Sequence, residues 1–336
     1  MLRFHLTDAD LARIRVATAP DPLWETVLGI QQLPNRRSHA FHTWRGQARE
    51  ELTRRNLGGP IRLMNSAAPA ASYFPDFLTP PEAQDGLTTG LEALRATPPS
   101  RLNQELTRLA HTRRLPHWCH ELAHGKRDHL RELASAIRDI HHTIIAPDWT
   151  KATQAIETDR LIRARAIRDG GLHGLLESLR PTVDWQPPIL HVPYPEDRDV
   201  HLRGHGLRLI PSYFCWRTPV ALADPHLPQI LVYPAARATT TETRTTATRL
   251  GPLTGLLGHT RARTLLNLAD AATTGELARL LGVSPSTASE HVSALRDAGL
   301  THRRREGGRV IHSLTPLGTA LLRGENHPPS ATTLDP

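Results

Sequence analysis

The chain has 336 residues, 39% hydrophobic and 22% charged, enough for two or three globular domains and too apolar for a disordered polymer. Lys and Arg number 41 against 33 Asp and Glu, a formal charge of +8 that suits an anionic partner without choosing one. Cys119 and Cys215 form no CxxC pair, which argues against a zinc ribbon or a disulfide framework; Arg3, Asp8 and Asp10 argue against a secretory leader, and no apolar run is long enough to span a bilayer, so a cytoplasmic address is expected.

Residues 2–6, LRFHL, alternate apolar and polar as a strand does. Thr7 and Asp10 have capping-box spacing, predicting a helix to about Val16. Pro20 and Pro22 start another, with Leu23, Val27 and Ile30 at helical intervals. Phe41, Trp44, Ala48 and Leu52 mark a third, broken by Gly58-Gly59-Pro60. PAASYFPDFLTPP (69–81) reads as a rigid irregular loop. Helices are expected at about 82–96 and 100–114, the second capped by Ser100. Trp118, Leu122, Leu133, Ile137, Ile140 and Ile144 then predict one long helix from Pro116 to about Ile145.

That helix contains His120-Glu121-Leu122-Ala123-His124, an HExxH match. In zinc hydrolases two histidines one turn apart bind metal and the Glu activates water. Residues advance about 100° each along a helix, which turns both histidines away from the stripe of Trp118 and Leu122. Position 130, where a metzincin-style third ligand would stand, is Leu130, and Glu132 and Glu157 are nominal substitutes only. The expectation is no metal, no cofactor and no catalytic residue, with a zinc-dependent hydrolase as the alternative. His141, His142, His201 and His205 are read as surface residues.

A helix from Asp148 to Asp169 should stop at Gly170-Gly171, with Arg160, Arg163, Arg165 and Arg168 as a solvated face or an anionic-effector site. Leu172, Leu175, Leu176 and Leu179 continue a short helix to Pro181. ILHV (189–192), VHL (200–202), LRLIPSYF (207–214), PVALA (219–223) and QILVY (229–233) predict one small sheet, joined by the strand at 2–6. The six tryptophans, all between Trp24 and Trp216, give this region its own core. The Thr-rich run 238–249 has no apolar period and reads as linker.

The last stretch is the most specific. A helix begins near Pro252 and passes Leu265, Leu266 and Leu268. Thr273 and Glu276 form a second capping box, and Leu277, Leu280 and Leu281 make an apolar stripe ended by Gly282. Ser284 caps the next helix, with Pro285 at its first position. Ala288, Val292 and Leu295 point inward; Ser286, Thr287, Ser289, Glu290, His291 and Ser293 point outward. After Gly299, Arg303, Arg304 and Arg305 lead through Glu306-Gly307-Gly308 to Arg309, with Val310, Ile311 and Leu314 on the return, a hairpin tipped with arginines. Residues 252–323 hold nine arginines and five acids, a net +4. Such a pair of helices places the second in the major groove, so Ser286, Thr287, Ser289 and Glu290 would meet bases. Ser284 and His291 would meet phosphates. The hairpin arginines would follow the backbone or enter the minor groove. A winged helix used only for protein contacts is the plainer reading, but it leaves the arginines and the bare hydroxyl face without a purpose.

SPSTASEHVSALRDAGLTHRRREGGRVIHSLTPLG resembles the reader of ArsR-type winged-helix transcriptional regulators, over roughly residues 252–323. The resemblance implies a dimeric repressor-type protein that occupies an operator in double-stranded DNA. Glu290 stands where such proteins often carry Gln or Arg, and ELARLLG (276–282) has no thiol for metal sensing. PDFLTPP (75–81), PDW (147–149), RDGGL (168–172) and LVYPA (231–235) are similar to the long N-terminal domain fused to some of these regulators. The expected architecture is α+β: a mainly helical module with a small sheet at 1–235 for dimerisation or sensing an unknown small-molecule effector, a linker at 236–250, a winged helix at 251–323 and a tail at 324–336. DNA contacts are expected from Ser284, Ser286, Thr287, Ser289, Glu290, His291, Arg303, Arg304, Arg305 and Arg309, with no membrane partner.

Overall fold

A computed structural model describes residues 1–35, 39–69, 73–236, 253–268, 272–306 and 309–323. The chain divides into two units, Met1–Ala238 and Thr239–Pro336; almost all of the expected linker, and the tail, lie outside the described residues.

In the first unit, LRFH forms strand β1 (Leu2–His5). The Asp10 N–H donates to the Thr7 hydroxyl at 3.2 Å and the Thr7 N–H to the Asp10 carboxylate at 2.9 Å, a complete capping box for helix α1 (Asp8–Leu11). The helix does not reach Val16: it closes after Leu11, and β2 (Arg15–Val16) joins a sheet instead. Helix α2 (Pro22–Gln32) is capped by Asp21, which accepts from the N–H groups of Leu23 and Trp24. After α3 (His42–Arg54), Gly58-Gly59-Pro60 starts a helix rather than merely ending one. Pro60 lies in the first turn of α4 (Gly58–Ala67), where no N–H has an intrahelical partner to lose. Helix α5 (Leu87–Arg95) follows two 3-10 turns, and α6 (Pro99–Thr112) has Pro98, not Ser100, at its cap.

The long helix expected from Pro116 is two, α7 (His117–Ala123) and α8 (Asp128–Ile140). Gly125, at φ +92°, reverses the chain between them. The Lys126 N–H reaches the Glu121 carbonyl at 3.1 Å and the Gly125 N–H the Leu122 carbonyl at 2.9 Å, closing the C-terminus of α7. Helix α9 (Trp149–Glu177) runs through Gly170 and turns at Gly171, whose φ of 61° and ψ of −151° are not helical. The Arg163 guanidinium donates to the Ser178 hydroxyl at 2.7 Å. Fifteen residues of straight helix would hold those groups roughly 22 Å apart, so the chain folds back at Gly171. Arg163 is therefore not on a solvated face: it is buried and ion-paired at 2.8 Å with Asp159, which is fully enclosed. His141 is also buried, against Trp149, not on the surface.

The later strands are β3 (Asp184–Gln186), β4 (Ile189–Val192), β5 (Arg198–His201), β6 (Arg208–Ser212), β7 (Val220–Ala221) and β8 (Ile230–Pro234). They form two sheets where one was expected, in the orders β3-β4-β1-β5 and β2-β6-β8-β7. Strands β6 and β8 are parallel and buried at all but one residue each, as strands covered on both faces are. Alternate residues enter two cores. Ile210, Ile230 and Val232 pack with the helical core of Trp24, Phe77 and Ile137. Leu209, Leu231 and Tyr233 pack with Phe4, Leu176 and Trp185.

Buried carboxylates pin the strand-rich segment to the rest of the unit. Asp10 accepts from the Gly206 N–H at 2.9 Å, Glu25 from Tyr213 and Phe214 at 2.8 and 3.0 Å, Asp76 from Ala223 and Asp224, and Asp159 from Ala236 at 3.1 Å. Each satisfies loop N–H groups that enclosure would otherwise leave unpaired. Burial outweighs these bonds at Glu25 and raises its carboxyl to about 7.

The second unit contains α10 (His259–Asn267), β9 (Ala272–Thr273), α11 (Thr274–Leu281), α12 (Pro285–Asp297), β10 (Thr301–Glu306), β11 (Arg309–Leu314) and α13 (Pro316–Arg323). Its sheet has the order β10-β11-β9. No helix among the described residues is long and apolar enough to cross a membrane.

Candidate nucleic-acid interface

Helix α11 starts on the expected capping box: the Glu276 N–H donates to the Thr273 hydroxyl at 3.3 Å and the Thr273 N–H to the Glu276 carboxylate at 2.9 Å. Gly282, at φ 70° and ψ 34°, closes it, and the Val283 N–H reaches back to the Ala278 carbonyl at 3.0 Å. This left-handed residue sets the tight turn that angles α12 away from α11. Leu277, Ala278 and Leu281 of α11 and Ala288 and Val292 of α12 share one core with Leu268 and Ala272. Leu295 packs in a second with Ala262, Leu265, Leu300 and Leu322. Leu280 departs from the expected stripe and is 47% exposed.

The outward face of α12 carries no exposed large apolar side chain. Ser284, Ser286, Ser289 and Glu290 are exposed, and Thr287 and His291 half-buried. At its N-terminus three hydroxyls meet: Ser284 Oγ lies 2.7 Å from Ser286 Oγ and 2.8 Å from Thr287 Oγ1. The Ser284 oxygen also accepts the Thr287 N–H at 3.1 Å, serving as the N-cap. The outcome is a compact donor-acceptor cluster at the positive end of a helix macrodipole, the end that draws phosphate.

The wing follows. Strands β10 and β11 pair antiparallel from Thr301↔Leu314 to Glu306↔Arg309; Gly307 and Gly308 between them, and the Arg309 side chain, lie outside the described residues. Successive residues of a strand face opposite ways. Arg303 and Arg305, across from His312 and Val310, therefore share one face, and Arg304 shares the other with His302, Ile311 and Ser313. All three arginines are exposed. His302 and Ser313 join them through a 3.0 Å contact between Nε2 and Oγ; strand alternation from Arg304 would have singled them out in the sequence.

His312 adds a buried member to this surface's support. It is enclosed on the central strand, its Nε2 3.0 Å from Thr274 Oγ1, and its Nδ1 has no hydrogen-bond partner among the described residues. Burial, then Arg296 and Arg303, hold its imidazole below the usual histidine value. It links the start of α11 to the wing, a role that no sequence spacing announces.

The HExxH residues do not assemble comparably. His124 lies past the end of α7, with Nδ1 2.6 Å from the His120 carbonyl, and both histidines are exposed. Lys126 and His129 hold the Glu121 carboxyl down to about 2. A general base works best near the operating pH, and this carboxylate lies far below it. Among the described residues, no group of three or more His, Cys, Asp or Glu is placed to hold a metal ion.

Comparison with known proteins accords with this geometry. Residues 259–304, which run from the start of α10 into the wing, match a family described as a helix-turn-helix domain. No match to the chain was found among the curated proteins or the solved structures. The C-terminal unit thus carries a helix-turn-helix domain, of the kind that supports DNA-binding regulation.

Proposed function

We propose that this chain is a sequence-specific, DNA-binding transcriptional regulator of the ArsR-like winged-helix type that occupies its operator as a homodimer. The observation that carries this reading is the hydroxyl cluster of Ser284, Ser286 and Thr287 on an exposed helix N-terminus, in one unit with an arginine-lined hairpin. Helix α12 enters the major groove N-terminus first, so Ser286, Thr287, Ser289 and Glu290 reach base edges while Ser284 and His291 hold phosphate. Glu290 accepts a hydrogen bond from cytosine N4, the pairing that suits a carboxylate. Arg303, Arg304, Arg305 and Arg309 neutralise backbone phosphates. A two-fold dimer presents a second recognition helix ~34 Å away, one turn of duplex. The N-terminal unit sets that dimer's geometry or senses an effector, and the protein binds rather than catalyses.

Duplex binding measured across a salt titration tests this reading. Arg304→Ala and Arg305→Ala should each weaken binding to every sequence and lower the slope of log affinity against log salt by about 1. Variants that bind as tightly as the parent, with the same slope, would remove the wing from the interface.

A further inference from the structure

Among the described residues of the first unit, the most exposed large apolar side chain, Leu161, lies on the outer face of α9. Its inner face is fixed by the Asp159–Arg163 ion pair and by the returning segment after Gly171. There a Cβ on Gly174 would stand 2.6 Å from the Ala166 carbonyl, so that side is packed as closely as backbone allows. Glu157, Leu161, Ala164 and Arg168 lie on the opposite side and are all exposed, Leu161 at 65%. Their spacing of four, three and four residues draws one straight seam along the helix, about 16 Å long. The seam thus runs from an acid through a large and a small apolar side chain to a base.

We propose that a second copy of this chain docks antiparallel along this seam; the inference rests on the dimeric reading above and locates its interface. The seam is complementary to itself. With a two-fold axis between residues 162 and 163, Glu157 faces Arg168 of the other copy and Arg168 faces its Glu157, while Leu161 and Ala164 meet across the centre. An isologous contact requires this reciprocity, residue i meeting j and j meeting i. The large-small pair lets the helices approach, and the charges close the seam at both ends. The present partners are surface ion pairs, Glu157 with Arg160 at 2.7 Å and Arg168 with Asp169 at 2.9 Å. Such pairs hold their side chains weakly and release them readily to a partner.

Sedimentation equilibrium of the full chain tests this with Glu157→Arg, Arg168→Glu and the double variant, each checked for an unchanged melting midpoint. A single reversal sets like charges against each other twice per dimer, so each should weaken dimerisation by about tenfold or more. The double variant restores opposite charges and should return the constant to within about threefold of the parent. Four equal dimer constants would overturn the seam and leave the dimeric reading standing, with its interface elsewhere. A monomeric parent would overturn both. If Arg168→Glu weakened duplex binding with the dimer constant unchanged, α9 would be a nucleic-acid contact, and the seam would again fall.

Discussion

Ser284 illustrates how one side chain serves both fold and proposed function. As an N-cap it accepts the Thr287 N–H, and its loss alone would cost the helix about 1 kcal/mol. Its further contacts with Ser286 and Thr287 preset three hydroxyls before any phosphate arrives. His312 gives the residue scale its pH dependence. Burial holds the folded imidazole below the ordinary histidine value of 6.5, so as pH falls through that value the unfolded chain takes a proton that the folded one refuses. The contribution of His312 is therefore complete above pH 6.5 and declines as pH drops towards the depressed folded value. Between pH 7.5 and 5 the melting midpoint of the parent should fall further than that of His312→Asn. Equal falls would show that His312 does not couple to folding.

Among the elements, local chemistry was legible and tertiary context was not. Thr273 with Glu276, Gly282, and Ser284 with Pro285 each act within a few residues of themselves, and each stands where the sequence places it. Gly125 is hidden in the sequence because the apolar stripe of Trp118 to Ile144 continues across it, and periodicity cannot see a reversal that keeps the same face buried. The spacing of Arg163 from Asp159 suits a surface ion pair as well as a buried one; Tyr233 and Ser178, which enclose it, are brought to it only by the fold. Leu280 looked like core because helical spacing cannot say how wide the covered face is. That difference can be measured: Leu277→Ala, at a fully buried site, should destabilise the second unit by about 2–4 kcal/mol. Leu280→Ala should change it by less than about 0.5 kcal/mol, as exposed positions do. Comparable losses in denaturant melts would place Leu280 in the core after all.

For the whole molecule, the α+β architecture followed from the change from helical to strand-like runs after Pro187-Pro188, whereas the split into two sheets did not. Nothing local tells β1 to pair with β4 and β5, or β2 to pair with β6; those pairings are set by which apolar faces remain once the helices have packed. The carboxylates of Asp10, Glu25, Asp76 and Asp159 were equally silent, because their partners are loop N–H groups far along the chain. The central claim is that the surface of α12 and the wing reads duplex sequence. Selection of bound duplexes from a random pool by the full chain tests it most directly, run beside Glu290→Ala and Ser286→Ala. The parent should enrich one recurrent motif in two copies about one turn apart, and the variants should enrich altered bases within it. Recovery of duplexes with no shared sequence, or of the same motif by parent and variants alike, would contradict it.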